Sequence, residues 1–328
     1  MLGVEQLKEK IEITETTVEC PVKGCSEKVD RQRGSFTKRK EFLCPKHNIF
    51  ISPSTFEHLY ESDNLLWKDS SDLELFDRIK DFKRVKHRLG RERSEDSLSW
   101  NVFRFLEKNN LIEVLLDSIT DSSPNSSEVV YWSYSQREDD IWSLLDEARR
   151  EFGEYKISWS SEPDIIVTTD TALYFIEAKF KDDNKTVPTN ESEFKKYKTG
   201  GENWFSKVFS SEYETVAITE KKYELLRFWL LGTWIAEQQG LDFYLISLVR
   251  AGREKDIEAI FGKHIKENQR RKFLRVTWET IFQYISESEG SSDKKVMMRY
   301  FRNKTIGYKM KRARGIEKGI LQKAFSIL

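Results

Sequence analysis

The chain has no long apolar run. No stretch approaches the roughly 18–20 consecutive apolar residues that a membrane-spanning helix needs, so no membrane partner is expected. The opening segment, Met1 to Ile13, lacks the apolar centre of a signal peptide. Cysteine is scarce: the three present, Cys20, Cys25 and Cys44, all lie within the first 50 residues. They cannot form a disulfide framework without a leftover thiol, and a cytoplasmic location is expected. Net charge is missing too. With 55 basic and 55 acidic residues, bulk charge selects no partner, so the distribution of charge along the chain has to. The 328 residues are 38% hydrophobic and 34% charged. That composition excludes a disordered chain and predicts a strongly charged globular protein with a sizeable core.

The scarce cysteines are not scattered. Cys20 and Cys25 bracket a Pro-Val-Lys-Gly turn, and Cys44 and His47 bracket Pro45-Lys46, giving C-x4-C, 18 residues, then C-x2-H. Two close pairs of soft or borderline ligands match what tetrahedral zinc requires. The competing reading makes the cysteines small core residues and His47 a loop residue, but free cysteines seldom fall in pairs beside Gly and Pro turns. His58 is a rival fourth ligand outside the tight pair. Four protein ligands leave no open coordination position, so the predicted zinc is structural. It would staple a module over residues 1–62 that has few large apolar side chains.

Residues 63–93 read as a helical, basic linker. Arg78, Lys80, Lys83, Arg84, Lys86, Arg88, Arg91 and Arg93 accumulate there against Asp81 and Glu92. A solvated helix face and a phosphate-contacting one are equally compatible with that run. Ser94 then caps an amphipathic helix whose first turn holds Glu95 and Asp96, where carboxylates favour the positive end of the helix dipole. A Ser- and Asp-rich loop, a strand at 129–134 and a helix at 139–152 follow.

Glu162 to Lys181 reads as a hairpin. Ile165, Ile166 and Val167 form one apolar strand, Thr168 to Thr171 the turn, and Leu173 to Ile176 the start of a second strand. Asp164 begins the first strand. Glu177 and Lys179, two apart, share one face of the second. Charges at the ends of otherwise apolar strands are costly unless something uses them. A structural Glu–Lys pair on an exposed strand would instead show polar and apolar residues alternating, which LYFI and IIV do not.

A helix with an acid near its start, then Glu-Pro-Asp on one strand and Glu-Ala-Lys on the next, resembles the core of the PD-(D/E)xK nuclease superfamily, the fold of many restriction endonucleases. The likeness covers roughly residues 94 to 250. It implies an α/β fold with a restriction-endonuclease-like mixed central sheet flanked by helices, beside the small N-terminal zinc-finger-like module. It implies Asp164 and Glu177 as ligands of a catalytic magnesium or manganese ion, Lys179 as the catalytic lysine and Glu95 as the helical acid completing the site. Hard carboxylate oxygens suit magnesium, which polarises a phosphate and activates water. The implied activity is a DNA endonuclease of restriction or genome-defence type, working as a homodimer because a double-strand cut needs two active sites. A non-catalytic zinc-finger DNA-binding protein on the same scaffold, or a recombination or repair nuclease, are the alternatives.

Residues 181–203 read as a polar loop in which Lys195, Lys196 and Lys198 are candidate DNA contacts. A short strand is expected at Val216 to Ile218, then an apolar helix ending at Gly240, a buried strand at 242–250, and helices near 254–267 and 277–287. The nuclease core is thus placed at 94–290. From 291 the tail reads as helical and basic. Between Lys294 and Lys323 eleven basic residues, Arg314 among them, face Glu317 as the one acid. Absent acids favour a nucleic-acid contact over a helix packed on the core.

Overall fold

The computed structural model describes residues 7–83, 88–120, 122–189, 194–313 and 316–327. Two compact units result, Met1–Lys68 with Arg88–Phe105 and Glu279–Leu328, and Asp69–His87 with Leu106–Trp278. This division cuts across the four consecutive segments expected from sequence. The N-terminal zinc-finger-like module is not a free-standing block, because the C-terminal tail is built into it.

In the first unit, strands β1 (Lys10–Ile13), β2 (Thr17–Glu19) and β3 (Lys28–Asp30) form a meander. Strands β14 (Thr305–Ala313) and β15 (Ile316–Lys323) extend it to five strands in the order β14-β15-β1-β2-β3. The tail is therefore a helix, α9 (Ser292–Asn303), followed by a hairpin, and not helical throughout. Alternation explains it: Tyr308 turns inward while Lys309 and Lys311 turn out, the period-two pattern of a strand half in contact with a core. Gly307, at φ 101°, passes so close to Ser54 that a Cβ would meet its carbonyl oxygen at 2.1 Å. A separate three-stranded sheet joins β4 (Leu43–Cys44), β5 (Ile49–Ile51) and β6 (Phe56–His58). Helices α2 (Glu95–Lys108) and α8 (Trp278–Glu287) have most of their length in this unit.

The second unit is an α/β layer. Its seven-stranded sheet runs β13-β12-β11-β10-β7-β8-β9, with β7 at Ser127–Tyr131, β8 at Tyr134–Ser135, β9 at Asp140–Ile141 and β10 at Ile165–Thr169. Strands β11 (Ala172–Ala178), β12 (Asp242–Val249) and β13 (Arg271–Thr277) are mutually parallel, while β10 is antiparallel to both neighbours, so the sheet is mixed. Helices α1 (Ser70–Phe82), α3 (Ile112–Thr120), α4 (Ser143–Glu151), α5 (Phe194–Val208), α6 (Tyr223–Gln239) and α7 (Ile257–Gly262) complete it. Leu173, Phe175, Phe243 and Leu245 bury one face of the sheet in a core with α4, α5 and α6. Gly232 lets α6 lie close on β12, because a Cβ there would stand 2.2 Å from the Phe243 ring.

Three local expectations change. Val216 to Ile218 is a π-helical turn, Thr215–Thr219, instead of a strand; its neighbours are helical, so the apolar run packs as a turn against α6. The helix near 254–267 shrinks to α7, and β13, which was not expected, follows it. Charges at Arg271, Lys272 and Arg275 masked this strand, which lies at the sheet edge where solvent reaches them. The polar loop at 181–203 ends early, since α5 already begins at Phe194.

Candidate functional sites

The knuckle Pro21 to Gly24 turns on Gly24 at φ 79° and a Cys25 N–H to Val22 O bond of 3.1 Å. The second knuckle is closed by Asn48 N–H to Cys44 O at 2.9 Å. Together they bring Cys20, Cys25, Cys44 and His47 into one cluster whose ligand atoms all lie within 4.8 Å of one another. His47 Nδ1 is 3.6 Å from both Cys20 Sγ and Cys44 Sγ. The cysteines are buried with Ile11, Ile13, Val18 and Tyr308, so the cluster also lies in the core that the five-stranded sheet shares with β4 and β5. Burial pushes the Cys20 and Cys44 thiols up and the His47 imidazole down. Three buried thiols and one half-buried imidazole are a donor set that could hold a structural zinc. His58 lies outside the cluster, and burial drives its pKa down to about 4.

In the second unit the hairpin forms as expected, in the register Ile165↔Ile176. One place further along, Asp164 stands across from Glu177, and Glu177 is level with Ser247 of the parallel strand β12. These three share a face. It is the face on which Leu173 and Phe175 enter the helical core, so Glu177 continues that apolar row as a buried carboxyl. The Asp164 carboxylate is anchored: its Oδ2 accepts the Ala178 N–H at 2.9 Å and its Oδ1 the Trp132 indole N–H at 3.3 Å. Lys179 Nζ donates to Glu177 and lies 3.2 Å from Glu224 Oε2, in the first turn of α6. Behind it, the Lys179 backbone is held by Leu248 O at 2.8 Å and by the Trp278 indole at 3.2 Å.

The electrostatics follow from this crowding. Glu177 is 3% exposed. Burial, and then the negative charges of Asp164 and Glu224, hold its carboxyl well above the usual carboxylate range, against the pull of Lys179. Burial also works against ionised Glu224, but there Lys179 prevails and the carboxyl falls below its ordinary value. A buried pair supports the segment entering Asp164. Arg227 Nε donates to Glu154 at 3.1 Å, and Glu154 accepts from the hydroxyls of Ser161 at 2.7 Å and Tyr197 at 2.8 Å.

The fold thus brings Asp164, Glu177 and Lys179 together. Glu95 opens α2, in the stretch that belongs to the first unit. Glu224 and Trp132 were not singled out from sequence. Glu224 hides in a helix that is otherwise core, and Trp132 in an aromatic strand; an acid in the first turn of an apolar helix was the one available signal for Glu224. Several expected DNA contacts have partners inside the protein. Lys83 lies 4.2 Å above the Trp132 ring and 4.0 Å from Glu162, Arg78 pairs with Asp139 at 2.7 Å, and Lys198 with Glu212 at 2.9 Å. Arg84, Lys86 and Arg314 lie outside the described residues.

Neither the models of known protein families, nor the curated proteins, nor the solved structures contain a match to this chain. Among the described residues, no helix is long and apolar enough to cross a membrane.

Proposed function

We propose that the second unit is a metal-dependent endonuclease that hydrolyses phosphodiester bonds in DNA, of the PD-(D/E)xK kind and of restriction or genome-defence type. The observation that carries this reading is the row Asp164–Glu177, with Lys179 folded back onto it. Carboxylates gathered until one resists ionisation are short of positive charge, and Lys179 supplies only part of it. That deficit, in a set of hard oxygens, fits magnesium or manganese, with Asp164 and Glu177 as the holding residues. Such an ion, when bound, neutralises phosphate charge and acidifies water. The chain's own residues do the rest. Trp132 and Ala178 fix the Asp164 carboxylate, Glu224 and Glu177 aim the Lys179 ammonium, and that ammonium can stabilise negative charge developing on a phosphate or orient a water. Glu95 stays in the proposal on the strength of the resemblance. A cytoplasmic homodimer, with the zinc module assisting DNA binding, completes it.

The test is plasmid nicking by zinc-loaded protein with and without magnesium, for wild type and Lys179→Ala. Magnesium-dependent nicking that the substitution abolishes is expected. Equal nicking by both proteins, or none by either on diverse DNAs, overturns the assignment.

A further inference from the structure

The tail hairpin places basic residues where the sequence did not suggest them. Lys309 and Lys311 of β14, Lys318 of β15 and Lys10 of β1 are all exposed. The register Lys309↔Ile320↔Lys10 and Lys311↔Lys318↔Glu12 sets these four lysines on a single face of the five-stranded sheet. The opposite face carries Ile11, Ile13, Val18 and Tyr308 into the cysteine-containing core. With alternate residues about 7 Å apart and strands about 5 Å apart, the four ammonium groups fall in one patch roughly 10 Å across.

Acids do not balance this patch. Glu317, the one acid between Lys294 and Lys323, belongs to the alternate set of β15 and pairs with Arg31 at 2.6 Å. The acids on the lysine face lie on β1 to β3: Glu12 goes to Lys28 at 3.0 Å, Glu19 goes to Lys8 at 2.6 Å, and Asp30 stands at the far edge on β3. Among the described residues none forms an ion pair with Lys10, Lys309, Lys311 or Lys318. Lys311 directly opposes Lys318, a like-charge cross-strand pair that destabilises a sheet unless an anion covers it. By contrast, the bases of α9 are partly engaged: Lys294 donates to Ser286 O at 2.9 Å, and Arg302 lies 5.9 Å from the Phe282 ring centre.

Resting on the reading that this protein acts on DNA, we propose that the β14–β15–β1 face is a docking surface for the phosphate backbone of a nucleic-acid duplex, contacted by Lys10, Lys309, Lys311 and Lys318. A duplex presents a negative charge about every 1.7 Å along its axis, so this lysine patch can meet several phosphates at once. Contacts of this kind position a duplex and read no sequence.

The test measures binding of a labelled duplex by fluorescence anisotropy across a salt series. It uses the full zinc-loaded chain without magnesium, so no cleavage is required. Changing all four lysines to Gln is expected to weaken binding and to lower the slope of log K against log salt by about 2–4. Changing exposed Lys156, Lys207, Lys255 and Lys272 of the second unit to Gln should leave the slope nearly unchanged. A fourfold Lys→Arg version should bind like wild type. The single Lys311→Glu change, read in the same way, covers the case in which the fourfold Gln variant does not fold. An unchanged slope in both the Gln and Glu variants overturns the proposal. So does binding confined to anionic phosphatidylserine vesicles. Slope loss in these variants together with no nicking by wild type would sink the nuclease reading and leave the docking surface standing.

Discussion

Lys179 Nζ lies 3.2 Å from Glu224 Oε2 while also donating to Glu177, so a single ammonium stands between carboxylates delivered by β11 and α6. Removing the buried member should separate stability from activity. A folded-state carboxyl raised above its unfolded value costs stability once pH exceeds the unfolded pKa, and the cost grows as pH rises toward the folded one. Glu177→Gln is therefore expected to melt higher than wild type, with a gap that widens from about pH 5 to pH 8, while nicking is lost. Added magnesium should narrow the gap by stabilising wild type alone. Thermal melts across that pH range check it; a Gln variant less stable than wild type at pH 8 refutes it.

Glu224→Gln tests the aim of the lysine. Loss of this carboxylate partner should slow nicking roughly tenfold or more, with part of the rate returned by Glu224→Asp. The melting temperature should move little, because the neutral amide still fills the same space. Unchanged nicking by Glu224→Gln would remove Glu224 from the site.

The Arg227–Glu154 pair, with side chains 9% and 0% exposed, lies under the segment leading to Asp164. Burial alone would push the Glu154 carboxyl up, but Arg227 outweighs it and holds the group below its ordinary range. Arg227→Met should cost about 3–5 kcal/mol in chemical denaturation, because it leaves a buried carboxylate uncompensated. Combining Arg227→Met with Glu154→Leu should recover much of that loss, as a buried ion pair replaced by apolar groups often does.

Zinc should be found at one ion per chain by elemental analysis and should be lost on Cys20→Ala or Cys44→Ala. His58→Gln should keep it, since His58 lies outside the cluster. Chelation is expected to loosen β14 and β15 along with the knuckles, because Tyr308 shares a core with the cysteines. Hydrogen exchange of the tail hairpin reads this directly; a hairpin equally protected without metal would contradict it.

His58 supplies an acid sensitivity of its own. It is 1% exposed, and burial lowers its pKa to about 4 from 6.5. The unfolded chain therefore takes up the proton first. Its stabilising effect is complete above pH 6.5 and is lost as pH falls toward about 4, at up to about 1.4 kcal/mol per pH unit. His58→Gln should flatten that part of the stability profile relative to wild type.

The two sites were legible to different degrees, for physical reasons. The two knuckles, Cys-Cys and Cys-His, are local: spacing, Gly24 and two prolines place Cys20 with Cys25 and Cys44 with His47 by short-range geometry. The hairpin is local as well, so Asp164 and Glu177 could be paired across a turn from their apolar flanks. Glu224 could not, because it reaches Lys179 only when α6 packs back on β11 and β12, a contact that Gly232 permits.

Composition and pattern alone determined that this is a charged α/β protein with a Cys3His cluster and a hairpin bearing Asp164, Glu177 and Lys179. Those features depend on side-chain period and short-range spacing, which a sequence states directly. Tertiary structure alone decided that the tail is a hairpin in the N-terminal sheet and that its lysines share a face with Lys10. It also decided that Lys179 stands between two acids. Each of these depends on residues far apart in the chain, and strand register and helix packing, which sequence period does not encode, bring them together.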